Sequence, residues 1–477
     1  RIVAKLGEAT TLDVKSRFAR LEGASINFNA SFHLPNFAAV NPAFYENVNQ
    51  RPFRYYSNIR PTNEQETFEV SARLEHDFGP GKLSAWALFS DVDQSLTADG
   101  TSADFARYTF PGATPTSVAA SNQCFATTGA LTGYPLAPPT FIGQIPVPFI
   151  FAPANGSTFG AYSPTTCDGT QLQTRSQKDV SAEIRYASTL DGPINWSLGL
   201  YYLNIDRETG ISLGADLGQG VSRTLYNAPG SSNPTSQLFN DRFRTDVYAA
   251  FGSLDWKPVE QFTVGLALRY DIERRRAENL VPFVLDPISG GQINPGQVGG
   301  PIPPSASTFK QLQPKITLAY KVNDDTNLFA NWGVGFKAGG FNNQGSAAIV
   351  NNNFNNGRVP GTINAGVTIN DQYRLERSSA FEAGIKGNLL DGRISYDLAG
   401  YYTQVRDMQF FEFFVGGFGL LRVVSNIDRV DLWGAELNLN AKIVDGWTVF
   451  ASGNITDSEI KSNRSRPDTL GNKSPYT

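Results

Sequence analysis

Glu436-Leu437-Asn438-Leu439-Asn440-Ala441-Lys442-Ile443 alternates without a break, apolar at every odd position and polar at every even one, and stops at the tight turn Val444-Asp445-Gly446. A period-two run of this length is a strand whose two faces meet different surroundings. The same punctuation recurs along the chain at Gly7-Glu8-Ala9-Thr10, Gly79-Pro80-Gly81-Lys82, Asp191-Gly192-Pro193, Pro258-Val259-Glu260-Gln261, Asn323-Asp324-Asp325 and Leu390-Asp391-Gly392. Between these short turns lie wide, polar, Gly/Pro/Asn-rich stretches, the widest from about Thr97 to Gln177. A soluble sandwich has no reason to gather its short turns at one end and its long loops at the other. An all-β, transmembrane antiparallel β-barrel of the outer membrane does, with short periplasmic turns and long extracellular loops.

Other segments repeat the pattern. Val70, Ala72 and Leu74 alternate with Glu69, Ser71, Arg73 and Glu75; Trp196, Leu198, Leu200 and Tyr202 alternate with Asn195, Ser197, Gly199 and Tyr201. Arg393 to about Phe411 reads as one strand, against a usual length of about five or six residues in soluble proteins. Counting segments gives about fourteen strands in seven hairpins. Charges fall on one side of the alternation: Glu183 and Arg185, Lys315 and Lys321, Glu382 and Lys386. That side is either the wet face of a soluble sheet or a water-filled or plugged lumen, and strand length with turn asymmetry favours the lumen.

Composition restricts the function. The chain has 477 residues with net charge -4, and its pI of 5.5 leaves no basic footprint for nucleic acid. Mean hydropathy is -0.26 and no run of about 18 apolar residues occurs, so no transmembrane helix is expected. A barrel escapes that criterion because only alternate strand residues face lipid. Two His and two Cys leave little for a His/Cys metal site, and no nucleophile–base constellation stands out, so neither an enzyme nor a cofactor is expected. Gly333, Gly335 and Gly339 imitate a dinucleotide fingerprint, but no helix follows.

Four sets of residues carry more specific expectations. Cys124 and Cys167 share the longest loop, and in the oxidising setting of an outward-facing loop they are read as a disulfide and not as two free thiols; closing about 43 residues would be worth about 3–4 kcal/mol in the loop-entropy model. Phe341, Asn342, Asn343, Gln344 and Phe354, in an Asn/Phe-rich loop, are candidates to stack on and hydrogen-bond a small ligand. Phe410 to Phe414 forms either an interfacial aromatic girdle or a loop core. Along Phe262 to Arg276 the apolar parity turns basic at Arg274 and Arg276. This is either an ordinary polar strand end or a rim meeting lipopolysaccharide phosphates, since Arg binds phosphate bidentately.

Three blocks then resemble a known family. Gly335-Phe336-Lys337-Ala338-Gly339-Gly340-Phe341-Asn342 looks like the strand-to-loop signature of TonB-dependent outer-membrane receptors. Leu375-Glu376 followed by Phe381-Glu382-Ala383-Gly384-Ile385-Lys386 is similar to that family's Pro-Glu … Tyr-Glu-x-Gly-x-Lys strand, with Leu375 for Pro and Phe381 for Tyr, and Gly434-Ala435-Glu436 looks like its Gly-x-Glu strand opening. The resemblance implies a barrel of about 22 strands around a globular plug. It implies that residues 1–477 are a partial barrel domain, the plug, its TonB box and the closing C-terminal strands lying outside them. An opening at Arg1 and a close at Pro475-Tyr476-Thr477, which reads as the entry to another strand, fit that expectation. The implied function is active transport of a scarce ligand, by default a ferric siderophore, across the outer membrane of a Gram-negative bacterium. The implied partners are outer-membrane lipid, lipopolysaccharide, the ligand and the TonB complex, around a monomer. The alternatives are a passive porin or channel and a soluble β-rich binding protein.

Overall fold

The computed structural model describes residues 1–24, 49–50, 61–100, 115, 119, 169–215, 223–231, 234–286, 290–355, 367–416 and 419–475. The first eight strands are β1 (Ile2–Lys5), β2 (Thr10–Gly23), β3 (Thr62–Asp77), β4 (Gly81–Asp99), β5 (Gly169–Ser188), β6 (Ile194–Ala215), β7 (Thr235–Val259) and β8 (Phe262–Asn279). They are followed by β9 (Ser305–Asn323), β10 (Thr326–Lys337), β11 (Gly340–Phe341), a one-turn helix α1 (Ser346–Val350) and a π-turn at Asn351–Asn355. The chain continues with β12 (Gln372–Tyr373), β13 (Glu376–Leu389), β14 (Ile394–Gly416), β15 (Gly419–Val444) and β16 (Trp447–Ser462).

Fourteen of these strands form one antiparallel sheet in the order β1-β2-β3-β4-β5-β6-β7-β8-β9-β10-β13-β14-β15-β16; β11 and β12 pair separately as an excursion between β10 and β13. All seven turns expected to be tight join neighbouring strands of the sheet. Their local chemistry explains why. Asp77 Oδ1 accepts the Gly79 N–H at 2.8 Å and Asn323 Oδ1 accepts the Asp325 N–H at 2.9 Å, the Asx-turn bond that ends a strand. Gly79 and Gly446 supply the left-handed backbone, with φ of 88° and 85°.

Register fixes the two faces. Leu198, Leu200, Leu266, Leu268, Leu318, Phe381 and Leu437 project to one side, each between 38% and 61% exposed. On the other side, Glu183 faces Trp86 and Tyr201 across its two neighbours. Both faces of one sheet cannot be alike when one meets lipid and the other water, and period two keeps them apart. Leu200→Arg, on the apolar face between Leu198 and Tyr202, is therefore expected to cost about 2–4 kcal/mol in reversible unfolding from bilayers. Ser71→Arg, on the opposite face, is expected to stay within about 0.5 kcal/mol.

The strands are longer than a bilayer requires. About 9–11 residues span it, whereas β14 has 23 residues and β15 has 26, paired up to Gly416↔Gly419. The upper halves stand outside and hold three clusters of buried apolar side chains. Ile349, Val350, Phe414, Leu421 and Val423 form one cluster, Val405, Ile427, Val430 and Ile460 a second, and Leu238, Val281 and Ile293 a third. The Gly/Pro-rich stretch Gly290 to Pro304, read from sequence as turn-rich loop material, is packed: Ile293 is 1% exposed, and Gly296 and Gly345 approach so closely that a Cβ on either would lie 2.7 Å from the other's Cα. Within Phe410–Phe414, Phe414 belongs to the loop core, 7% exposed with its ring 5.5 Å from that of Phe354, whereas Phe413 is 55% exposed.

Candidate functional site

The inner wall of β5–β8 is built in rows by the register. Counting upward, the rows run Arg185–Gly199–Phe251–Arg269, Glu183–Tyr201–Ala249–Asp271, Ser181–Leu203–Val247–Glu273, Asp179–Ile205–Thr245–Arg275, Gln177–Arg207–Phe243–Ala277 and Arg175–Thr209–Asp241–Asn279. Because side chains alternate, everything in these rows shares one face.

The lower rows are aromatic and ion-paired. The Arg269 guanidinium lies 5.2 Å from the Tyr201 ring and 5.6 Å from the Phe251 ring, and Trp86 stands 6.4 Å from Tyr201. Gly199 makes this possible: a Cβ there would meet the Phe251 ring at 2.3 Å. Arg269 is neutralised by Asp271, Nη2 to Oδ1 at 2.8 Å, and Gln313 Nε2 donates to the same carboxylate at 2.7 Å.

The upper rows are basic and less compensated. Arg207 lies 5.4 Å over the Phe243 ring, and its Nε, closed off from solvent, has no hydrogen-bond partner among the described residues. Burial first, and then the charge of Arg175, hold the Arg207 guanidinium below its ordinary pKa, and Arg275 acts in the same direction. Among the described residues Arg175 donates to the neutral Gln177, at 2.9 Å, while Arg275 has Glu273 at 2.9 Å. Arg275 and Tyr373 converge at the motif glycine Gly340: a Cβ there would lie 2.4 Å from the Tyr373 hydroxyl and 3.0 Å from Arg275 Nη1. A half-buried guanidinium with an unsatisfied N–H, beside two further arginines and two aromatic rings, suits an anionic ligand with planar groups.

The remaining motif residues are structural. Lys337 closes β10 by pairing with Glu376 of β13, Nζ to Oε1 at 3.0 Å, and Glu376 also accepts the Gln409 N–H at 2.7 Å. Gly384 leaves room for the Phe329 ring, over which Lys386 Nζ sits at 5.6 Å. Gly434 leaves room for Tyr401, whose hydroxyl reaches Thr456 Oγ1 at 2.6 Å. Gly339 clears Phe309, Gly335 and Phe336 lie in β10 opposite Ser378 and Arg377, and Glu382 and Glu436 occupy inward positions opposite Asn331 and Ala399. A glycine facing an aromatic across the strand pair is a recurrent device for bending a sheet without losing packing.

The Asn/Phe loop is placed differently from its expected contact role. Asn342 is 5% and Gln344 1% exposed. Asn342 Nδ2 donates to the carbonyls of Asn370 and Val424 at 2.9 and 3.0 Å, and Gln344 Nε2 to that of Asn342 at 3.0 Å. These amides are struts: buried donors must be satisfied, and here carbonyls of the loop and of Val424 in β15 satisfy them. Phe354 packs on Phe414, leaving the half-buried Phe341 and Asn343. Cys124 and Cys167 lie outside the described residues. Arg274 and Arg276 emerge on the outward face of β8, away from the inner wall, with Arg274 5.9 Å from the Tyr248 ring. Arg175, Arg207 and Arg275 were not singled out in the sequence. Their signal is parity: Arg269, Asp271, Glu273 and Arg275 occupy the positions alternating with the apolar stripe that ends at Arg274 and Arg276.

Two carboxylates hold the loop: buried Asp241 of β7 latches it to the wall, and half-buried Asp371 ties the start of α1 to the segment before β12. Asp241, 1% exposed, accepts from Asn279 Nδ2 at 2.9 Å and from the Gln344 N–H at 3.0 Å. Asp371 accepts the N–H groups of Ala347 at 2.8 Å and Gly345 at 3.3 Å at the start of α1. Burial pushes Asp241 up to about 6 and raises Asp371 as well. A raised carboxyl pKa means that the docked loop holds the proton more tightly than the released loop. Docking therefore strengthens as pH falls through about 6 toward the ordinary 3.8 and weakens as pH rises. Amides 341–350 are expected to show about tenfold more protection from hydrogen exchange at pH 5 than at pH 8, after correction for intrinsic rates. Asp241→Asn should remove most of that difference; equal protection at both pH values would exclude the latch.

Comparisons with known proteins agree with this architecture. A family model described as TonB dependent receptor-like, beta-barrel, matches residues 11–477. Over 216 residues the chain is 23% identical to the pesticin receptor of Yersinia enterocolitica serotype O:8 / biotype 1B, covering 45% of this chain and 26% of that protein. The ferric-catecholate import receptor Fiu of E. coli K12, in its closed form, superimposes with a TM-score of 0.57 at 15% identity, covering all of this chain and 59% of that one. The ferric yersiniabactin uptake receptor FyuA of Yersinia pestis gives 0.55 at 13%, covering 95% and 50%. The chain thus spans between about a quarter and three-fifths of the length of these proteins, and the structural likeness is one of fold.

Proposed function

The chain belongs to the TonB-dependent receptor β-barrel family, and on that premise we propose that it is the barrel part of an outer-membrane uptake receptor for an anionic iron chelate. The observation that carries the ligand class is the upper inner wall, where Arg207 has a buried Nε with no partner among the described residues, beside Arg175 and Arg275. Iron chelators present hard oxygen donors, and ferric complexes of catecholates or carboxylates keep net negative charge that guanidinium groups bind as planar, bidentate donors. Phe243 in the same row and the aromatic residues below it, Tyr201, Phe251 and Trp86, offer stacking faces to planar chelating groups. Names given to similar proteins, ferric yersiniabactin uptake and ferric-catecholate import among them, support the class without identifying the compound.

Binding alone cannot accumulate a ligand against a gradient. The proposal therefore includes a plug domain within a longer protein, coupled to the TonB complex, consistent with the partial coverage of the relatives. The test is growth of iron-starved cells carrying the full-length gene. Ferric complexes of catecholate or carboxylate ligands should support growth only when both the receptor and TonB are present. Equal uptake without TonB would instead favour a passive channel, and growth independent of the receptor would remove the assignment.

A further inference from the structure

Where the loop after β11 meets the wall, oxygen atoms gather without donors and negative charge gathers without cations. Asp241, Gln297 and Gln344 are each 1% exposed. Gln297 Nε2 donates to Asn279 Oδ1 at 3.4 Å and to the Val281 carbonyl at 2.9 Å. Asn279 Nδ2 donates to Asp241 Oδ1 at 2.9 Å, and Asp241 Oδ2 accepts the Gln344 N–H at 3.0 Å. Gly345 and Gly296, the sequence neighbours of Gln344 and Gln297, meet backbone to backbone, so these contacts close a ring. Two of its members, Gln297 and Gln344, have side-chain oxygens closed off from solvent with no hydrogen-bond partner among the described residues. A buried polar atom left so calls for a bound group that supplies the missing contact.

Charge selects that group. The N–H of Gln344 serves Asp241 and the next one, of Gly345, serves Asp371 Oδ2 at 3.3 Å, so consecutive amides bring two carboxylates together. Asp371 acts on Asp241 as a like charge. The cations nearby are committed or remote. Arg275, beside Gly340, pairs with Glu273; Arg374 pairs with Asp407 and Asp428; Arg242, on the other face of β7, pairs with Asp206. Arg175 shares the row of Asp241 but stands two strands away, and Arg207 stands one row lower. Water could satisfy stray acceptors but does not neutralise two carboxylates. The donors are oxygens throughout, and among the described residues no group of three or more His, Cys, Asp or Glu comes together, so the set suits a hard cation and not a thiolate- or imidazole-bound metal.

We propose that Asp241, Asp371, Gln297 and Gln344 bind one Ca2+ ion, which fastens the loop to the inner wall at β7 and β8. Two carboxylates match its charge, and amide and main-chain carbonyl oxygens belong to its usual shell of about six to eight ligands. Mg2+ suits the place less well, because it demands octahedral geometry and keeps its waters. The ion and a proton on Asp241 are alternatives, so the loop's pH-dependent protection belongs to calcium-free buffer. The inference rests on the ring and its charge and not on the chelate reading, so either can fail without the other.

The test is hydrogen exchange of the full-length receptor, stripped with EDTA and held at pH 8 with and without added Ca2+, alongside equilibrium dialysis with radioactive Ca2+. Amides 341–350 should gain about tenfold protection in saturating Ca2+, with half-saturation at about 0.1–1 mM, the range of extracellular calcium modules. Mg2+ at the same concentration should give much less. D241N/D371N should lose that gain together with one bound Ca2+ per receptor. Q344E, which adds a ligand charge, should bind about tenfold more tightly. E382Q, an inner-wall carboxylate away from the loop, should change neither reading. Each variant must still shift on heating in an unboiled gel; if the double variant does not fold, D371N replaces it. Equal protection with and without Ca2+ would leave the ring to water and overturn the proposal. So would Ca2+-dependent protection that D241N/D371N and Q344E leave unchanged, which would put the ion elsewhere.

Discussion

Gly384→Val is expected to lower the amount of folded barrel in the outer membrane about tenfold or more. A Cβ at position 384 would lie 2.5 Å from the Phe329 ring and 2.6 Å from the Leu398 carbonyl oxygen. The ring could shift, but the carbonyl belongs to β14, in register as Ile385↔Leu398 and Gly384↔Ala399. Moving it means breaking the ladder beside β10, β13 and β14. Overpacking a fitted contact costs about 1–3 kcal/mol, occasionally more, and here a backbone atom and a ring resist together. The comparison that isolates this cause is Gly400→Val in β14, flanked by strands on both sides, where the only atom within 4 Å of the added Cβ is the Gly434 carbonyl oxygen at 3.8 Å. The measurement is the fraction of receptor that migrates faster unboiled than boiled, in isolated outer membranes. Gly400→Val should match wild type while Gly384→Val loses the fast band. Equal loss in both would mean that valine in the strand, rather than the contact with Phe329 and Leu398, was responsible.

The second large effect is on binding. Arg207→Gln with Arg275→Gln, in the full-length receptor, should weaken binding of a ferric tris-catecholate complex about 100-fold or more, since hydrogen bonds to charged groups contribute about 1.5–3 kcal/mol each. A neutral ferric tris-hydroxamate, if bound at all, should change little, and the difference between the two complexes should shrink as salt is raised. Arg207 is the sharper probe because its Nε has no partner among the described residues, whereas Arg275 also releases Glu273. Arg274→Gln, on the outward face, is the control for loss of one positive charge. Identical affinity in wild type and the double variant would exclude the upper wall as the anion site. Equal weakening toward both complexes would show a change of shape and not of charge recognition.

The same residues show how far the sequence reaches. The turn at Asp391-Gly392, the alternation along Glu436–Ile443 and the long strand after Arg393 were legible because they are local. A period-two strand must bury one parity in lipid, and a short turn needs Gly, Asn or Asp within a few residues. The motif blocks marked Lys337, Glu376 and Gly384 without explaining them. Their reasons are cross-strand: Lys337 meets Glu376, and Gly384 meets Phe329. The Asn/Phe loop shows the opposite case, because exposed asparagines awaiting ligand and buried asparagines holding a loop have the same composition.

What the chain determined by itself, then, is strand number, direction, face and compartment, all consequences of periodicity and turn chemistry acting over a few residues. What only the tertiary structure decided is which polar groups remain unsatisfied. Arg175, Arg207 and Arg275 come from three strands, and the packed loop core draws on segments 225–293, 342–371 and 405–460. Partnering depends on register between strands and on contacts made across tens to hundreds of residues, and an alternating pattern, being the same for every strand, carries no record of which neighbour each residue meets.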